Sequence, residues 1–140
     1  MARIKLQLPD EFVFSMEIPV RVTDLNYGNH LGNDAVLALA HEARVQFLSG
    51  MGYSESDIEG AGIIMSDAVI VYKSQAFLGD LLQIDIAIDD FSRRGCDLLY
   101  RVSKKETGDE IARVKTGIVF FDYSRSKTVS VPESFRKRFT

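Results

Sequence analysis

The sequence predicts an α+β domain in which a curved antiparallel sheet of about five strands wraps one long helix. Three observations carry that prediction. Residues 36–48 hold the only long apolar pattern of helical period, with Val36, Leu39, Ala40, Ala43 and Phe47 on one face. Other segments alternate with period two, most plainly Phe12, Phe14, Met16, Ile18, Val20 and Val22, and again Leu82, Ile84, Ile86 and Ile88 against Gln83, Asp85, Ala87 and Asp89. Short polar turns join the later alternating segments one after another, which favours antiparallel neighbours.

The first strand is expected from about Phe12 to Val22, where every second residue is apolar; Pro19, which has no amide for a ladder, places it at an edge or beside a bulge. The polar loop Asp24 to Asn33 leads into the helix, for which Asn33 or Asp34 is a good N-cap. Leu37, Ala38 and Leu48 widen its apolar surface, so the helix should be mostly buried, and Gly50 and Gly52 can take the left-handed conformation that ends it. Tyr53 to Gly60 is a polar connection with room for a short helix. Gly62 to Lys73 is apolar on both faces, as in a strand covered on both sides. Leu78-Gly79-Asp80 turns the chain into the third strand, and Ser92-Arg93-Arg94-Gly95 turns it into the fourth, which carries Cys96, Leu98, Tyr100 and Val102. The fifth strand, Glu110 to Asp122, follows Thr107-Gly108-Asp109, and its two-sided apolarity implies a central position or a subunit interface. A short, partly ordered helix is expected after Pro132.

Composition bounds the function. A chain of 140 residues, 46% hydrophobic and 26% charged, suits a single domain over residues 1–140 with a real core. With 17 basic and 20 acidic residues the net charge is -3, which gives no general attraction to nucleic acid. No apolar run is long enough to span a bilayer or to serve as the core of a signal peptide, and the solitary Cys96 has no internal disulfide partner; the chain reads as cytoplasmic. Two histidines without a Cys pair or His-x-x-x-His spacing supply no usual metal-ligand set. No glycine-rich nucleotide fingerprint is present, and Asp24 with His30 lacks the activated Ser of a triad.

The order of elements, the loop Asp24 to Asn33, the helix segment Glu42-Ala43-Arg44, Val71-Tyr72-Lys73, Gly79-Asp80 and Val131-Pro132-Glu133 resemble the hot-dog-fold acyl-CoA thioesterases of the 4-hydroxybenzoyl-CoA thioesterase type. The resemblance covers nearly the whole chain. The family loop runs approximately Asp-x-Asp-x-x-Gly-His-x-x-Asn, which puts Asp24 on the first Asp, His30 on the His, Asn33 on the Asn, and Asn26 where many members carry the catalytic Asp. An amide is neither a useful general base nor a carboxylate nucleophile near neutral pH, so either another carboxylate helps or the reaction depends mainly on positioning and oxyanion stabilisation.

Asp24, Asp34 and Glu42 are the nearby candidates. Asp34 reads either as a first-turn capping carboxylate or as a reacting group. Glu42 matches the helix Glu of the family and either faces a pocket or pairs with an Arg. His30, between Asn26 and Asn33 at a helix start, is read as functional and His41 as structural. The resemblance implies hydrolysis of an acyl-CoA or acyl-carrier thioester, with CoA as part of the substrate and no separate cofactor. A non-catalytic acyl-thioester binding module and an enoyl-thioester hydratase are the alternatives. CoA phosphates would need a local basic cluster, for which Lys73, Arg93 and Arg94 are the candidates, with Arg125 and Lys127 beyond the last strand. Open sheet edges and the resemblance together imply a homodimer or homotetramer with sites between subunits.

Overall fold

The computed structural model describes residues 2–140. Its strands are β1 (Phe14–Pro19), β2 (Gly62–Tyr72), β3 (Leu81–Asp89), β4 (Gly95–Lys104), β5 (Glu110–Asp122) and β6 (Lys127–Thr128); its helices are α1 (Asn33–Gly50) and α2 (Glu133–Phe139). The antiparallel sheet runs β1-β3-β4-β5-β2, with β6 added to β5. One face of the sheet carries Ile84, Ile86, Leu98, Tyr100, Val102, Val114 and Ile118, all buried, and α1 lays Val36, Leu39, Ala40, Ala43, Phe47 and Leu48 into the same core. The opposite face carries ion pairs such as Arg101 with Asp85 and Lys115 with Asp67, and the N-terminal segment lies across part of it, with the Phe12 ring against the Arg101 guanidinium and the Leu6 carbonyl accepting from Arg113. This is the α+β arrangement that the strand alternation and the single long helical pattern predict, and the hot-dog fold that the resemblance implies.

Several local expectations need correction. β1 is shorter than its alternation, because the ladder stops at Pro19 and the chain enters a 3-10 turn at Val22–Asp24. The N-cap of α1 is Gly32, and neither Asn33 nor Asp34 caps with its side chain. Gly50 is the last helical residue, and Gly52 is the one that takes a left-handed φ of 81°. Only 7 of the 18 residues of α1 are buried, and Leu37 and Val45 stand about 40% exposed, so the helix is covered along one stripe. No helix forms between Tyr53 and Gly60; tight turns tie Ser54 to Asp57 and Ile58 to Ala61, sinking Ile58 fully into the core and turning Glu55 toward α1.

β2 is the largest correction. Its apolarity on both faces predicts a covered strand, yet it is a sheet edge, paired only with β5, and residues 65–68 are exposed. A bulge between Met65 and Asp67 bends it opposite Gly117. Gly117 leaves room for the Asp67 carboxylate, whose Oδ1 accepts a hydrogen bond from the Gly117 amide at 3.1 Å; a β-carbon there would displace that side chain. β5, by contrast, is interior as expected, between β4 and β2. The C-terminal segment is also better anchored than its composition implies, since Phe135 of α2 is fully buried against the rings of Phe120, Phe91, Tyr53 and Phe139.

Candidate active site

The loop before α1 is built by its own polar residues. Asp24 is buried and accepts from the Arg21 amide at 2.9 Å and from the Arg21 guanidinium at 3.0 Å. Burial pushes its carboxyl pKa up, but the Arg21 hydrogen bonds and charge outweigh burial, and the net direction is down. A carboxylate so occupied shapes the loop. Because its folded pKa lies below the unfolded value near 3.8, its contribution to stability is present above about pH 4 and is lost as pH falls through the folded value. Asp24→Asn is therefore expected to lower the urea midpoint at pH 7, with the gap to the parent protein closing in titrations carried below about pH 3. A gap unchanged with pH would exclude this role.

Asn26 also serves the loop. Its side-chain oxygen accepts the Gly28 amide at 2.9 Å, its own amide donates to the His30 carbonyl, and Gly32 N–H donates to the Asp24 carbonyl. Asn29 completes the turn in the left-handed region, φ 63°. The His30 ring packs over Gly28, where a β-carbon would come within 3.1 Å of Nε2.

This loop delivers the start of α1 between two clefts. One, about 440 Å³, runs along the helix past Asp34, Leu37, Ala38, His41 and Arg44 and is walled by Met65 to Ala68 of the β2 bulge and by Thr116. The other, about 260 Å³, holds His30, Asn33, Tyr72 and Lys73. The Tyr72 hydroxyl donates to the Asn33 carbonyl at 3.0 Å, fixing the helix start at the end of β2. The sequence-predicted residues thus divide: Asp34 lines the larger cleft, His30, Asn33 and Lys73 the smaller, and Asp24 and Asn26 lie in the supporting loop. Glu42 fits neither expectation: it lines neither cleft and pairs with no Arg among the described residues, but is exposed and accepts from Gln46 at 2.8 Å.

The Asp34 side chain is left unengaged by the fold. Its carboxylate folds back over the N-cap, with Oδ1 only 2.7 Å from where a β-carbon on Gly32 would stand, and it has no hydrogen-bond partner among the described residues. Ala35 N–H donates to the Gly32 carbonyl, but the amides of Asn33 and Asp34 have no acceptor among the described residues. Two free first-turn amides beside a free carboxylate can hold an oxyanion and a water.

The larger cleft ends on a polar network that the sequence reading did not assemble. Arg44, 6% exposed, donates from Nε to Glu55 Oε2 at 2.6 Å and from Nη1 to the Tyr100 hydroxyl at 3.1 Å. Tyr100 in turn shares a hydrogen bond of 2.7 Å with Thr116, and Glu55 Oε1 meets His41 Nε2 at 2.7 Å. Partial burial raises the Glu55 carboxyl pKa, but hydrogen bonds from Arg44 and His41 outweigh it and hold the group below its ordinary range. The one sequence signal was Arg44 itself, a cation within the apolar stripe one residue after Ala43.

Arg93 and Arg94 lie in the β3–β4 turn, far from the helix start. Gly95 pairs with Val119 and Tyr72 with Ala112, so the turn and Lys73 are separated by about seven residues along β5, roughly 23 Å. Arg94 is bonded to the carbonyl and hydroxyl of Thr128. These arginines and Lys73 do not rim one opening within a subunit. Cys96 is buried, which pushes its thiol up to about 12 and leaves it unreactive. Among the described residues no cluster suited to a metal ion occurs, and no helix is long and apolar enough to cross a membrane.

Comparison with curated protein sequences gives no significant match. Among solved structures, the fold is similar to that of a 1,4-dihydroxy-2-naphthoyl-CoA thioesterase from Synechocystis, at 22% identity over 90% of this chain and 94% of that one, TM-score 0.82. It is also similar to a putative thioesterase from Pseudomonas aeruginosa (17% identity, 93% and 100% covered, TM-score 0.85) and a DHNA-CoA thioesterase from Staphylococcus aureus (17%, 89% and 84%, TM-score 0.76). Likeness at such identity is one of fold. The family itself is shown by sequence: residues 20–139, nearly the whole chain, match the thioesterase-like superfamily, and the protein belongs to it.

Proposed function

We propose that the protein hydrolyses acyl-CoA thioesters at the start of α1, with Asp34 as general base. The observation that carries this reading is the unpartnered Asp34 carboxylate, beside two free amides, at the head of a cleft walled by Leu37, Ala38, Met65 and Ala68. The acyl group lies along that cleft and its carbonyl oxygen meets the Asn33 and Asp34 amides, where the helix dipole adds to the stabilisation of developing negative charge. Asp34 takes a proton from water as the water oxygen bonds to the carbonyl carbon; the tetrahedral oxyanion then collapses, the C–S bond breaks, and the proton returns to the leaving thiolate. His30 and Asn33 flank the smaller cleft, along which the CoA arm leaves. The test is thiol release from aromatic, short, medium and long acyl-CoAs; release no faster than without protein, for every one of them, sinks the proposal. Absorbance loss from an enoyl-CoA without thiol release would point to a hydratase.

On this reading Lys73 meets the CoA phosphates. Lys73→Ala is expected to raise KM for acyl-CoA about tenfold, roughly 1.4 kcal/mol, and to leave an acyl-pantetheine, which has no nucleotide, within a factor of two. Equal effects on both substrates would remove the phosphate role. The same reading places the enzyme in the cytoplasm, supported by its single buried thiol.

The open edge of β2 supports a homodimer. It is 11 residues long, exposes Met65 and Tyr72, and lies beside the larger cleft, so a second copy pairing there would cover both. Light scattering at micromolar concentration is expected to give twice the chain mass or a multiple of it; a monomer would contradict the pairing.

A further inference from the structure

The polar network lies at the far end of the larger cleft, beyond its apolar stretch of Leu37, Ala38, Met65 and Ala68. Arg44 has five N–H donors to satisfy, and Glu55 and Tyr100 engage only Nε and Nη1. Nη2 has no partner among the described residues, yet no side-chain polar atom sealed from solvent lacks one; the Nη2 end therefore opens to the space that Arg44 lines. That space is the cleft and an adjoining hollow bounded by Glu55, Ile63, Met65 and Tyr123, and the two meet at Arg44 and Met65. Thr116, 1% exposed, also lines the cleft. Tyr100 accepts from Arg44 and has one proton to give; given to Thr116, it leaves the Thr116 proton free to point into the cleft.

Two donors thus face a cleft whose apolar walls are Leu37, Ala38, Met65 and Ala68 and whose polar margins are Asp34, His41, Ser66 and Asp67. A plain alkyl end would leave them unmatched, which is costly in a desolvated site. Charge decides the kind of acceptor. Arg44 is neutralised by Glu55, and His41 is bonded to the same carboxylate. Asp34 at the cleft head and Asp67 on the bulge add negative charge, the latter paired with Lys115. With no net positive charge among these groups, an uncharged oxygen fits better than a carboxylate. Distance sets the length. Asp34 and Arg44 are ten residues apart on α1, roughly 15 Å along the axis. An extended chain advances roughly 1.2 Å per bond, so about twelve carbons reach from one end of the cleft to the other.

Resting on the hydrolase reading above, we propose that the Arg44–Tyr100–Thr116 network selects acyl thioesters of about twelve carbons that end in an uncharged oxygen acceptor such as a hydroxyl. The experiment compares dodecanoyl-CoA, 12-hydroxydodecanoyl-CoA and 11-carboxyundecanoyl-CoA as substrates of the parent protein and of Thr116→Val, alongside calorimetric binding of the corresponding non-hydrolysable thioethers. The hydroxyacyl substrate is expected to have a kcat/KM at least about tenfold above both others, the thioethers to follow the same order, and Thr116→Val to bring the hydroxyacyl and plain substrates level. Equal values in the parent protein, or preference for the plain or carboxyl chain, overturn the inference. Failure of the hydrolase reading looks different: no thiol appears from any substrate, while the thioethers still report whether the hydroxyl is preferred.

Discussion

Asp34→Asn is expected to lower kcat for acyl-CoA hydrolysis by about 10³-fold, equivalent to about 4 kcal/mol of transition-state stabilisation, with KM changed by less than about threefold. The substitution keeps the shape of the side chain and removes only its ability to take a proton from water. Folding should be little affected, because Asp34 is exposed, caps nothing and has no hydrogen-bond partner among the described residues; the lost favourable charge at a helix start is worth about 0.5 kcal/mol. Steady-state rates with a melting curve on the same sample check this. A variant that retained more than about a tenth of the parent kcat would transfer the general-base role elsewhere, with His41, which shares the cleft, the next group to replace. Gly32→Ala offers a second approach to the same group, since the added methyl would press on Asp34 Oδ1 without removing it.

How much of this was legible in the sequence depends on the range of the interaction concerned. Local periodicity placed the long helix and the strands, and Pro19 marked β1 as an edge, because each depends on residues close in sequence. β2 was misread because a run such as Ile63 to Tyr72 has the same apolar pattern whether its outer half is covered by another strand, a second copy or a ligand. The Tyr53–Gly60 turns rest on side-chain bonds such as Asp57 to the Gly60 amide, which no periodicity encodes. The site divides in the same way. Asp34 was named from its place at the helix start, but its freedom from capping follows from Gly32 taking the N-cap. Arg44, Tyr100 and Thr116 come from α1, β4 and β5, and Arg44 and Tyr100 are 56 positions apart; only the closing of the sheet over the helix brings them together.

Gly95→Ala is expected to cost about 3 kcal/mol, lowering Tm by about 10 °C for a chain of this length. Gly95 opens β4 opposite Val119, at the point where the Ser92–Gly95 turn closes through Ser92 N–H to the Gly95 carbonyl at 2.9 Å and Phe120 N–H to the Arg94 carbonyl at 2.8 Å. A β-carbon there would overlap the Ile118 carbonyl oxygen and stand 3.4 Å from Val119 Cα. These are backbone atoms of a strand held on both sides by β4 and β2, so no rotamer change relieves the overlap, and the β4–β5 ladder must open locally. Gly50→Ala is the matched control: it sits at the end of α1 with nothing within 4 Å of the added carbon, and removing a helical glycine should leave stability unchanged or raise it by up to about 1 kcal/mol. Thermal melts of the two variants decide the matter, since a Gly95→Ala shift no larger than that of Gly50→Ala would mean that β4 and β5 do not approach as closely at this point as described. Because Leu98 of β4 lies opposite Thr116, a strand pair opened at Gly95 should also loosen the Tyr100–Thr116 contact, and the hydroxyacyl preference should fall in step with the loss of stability.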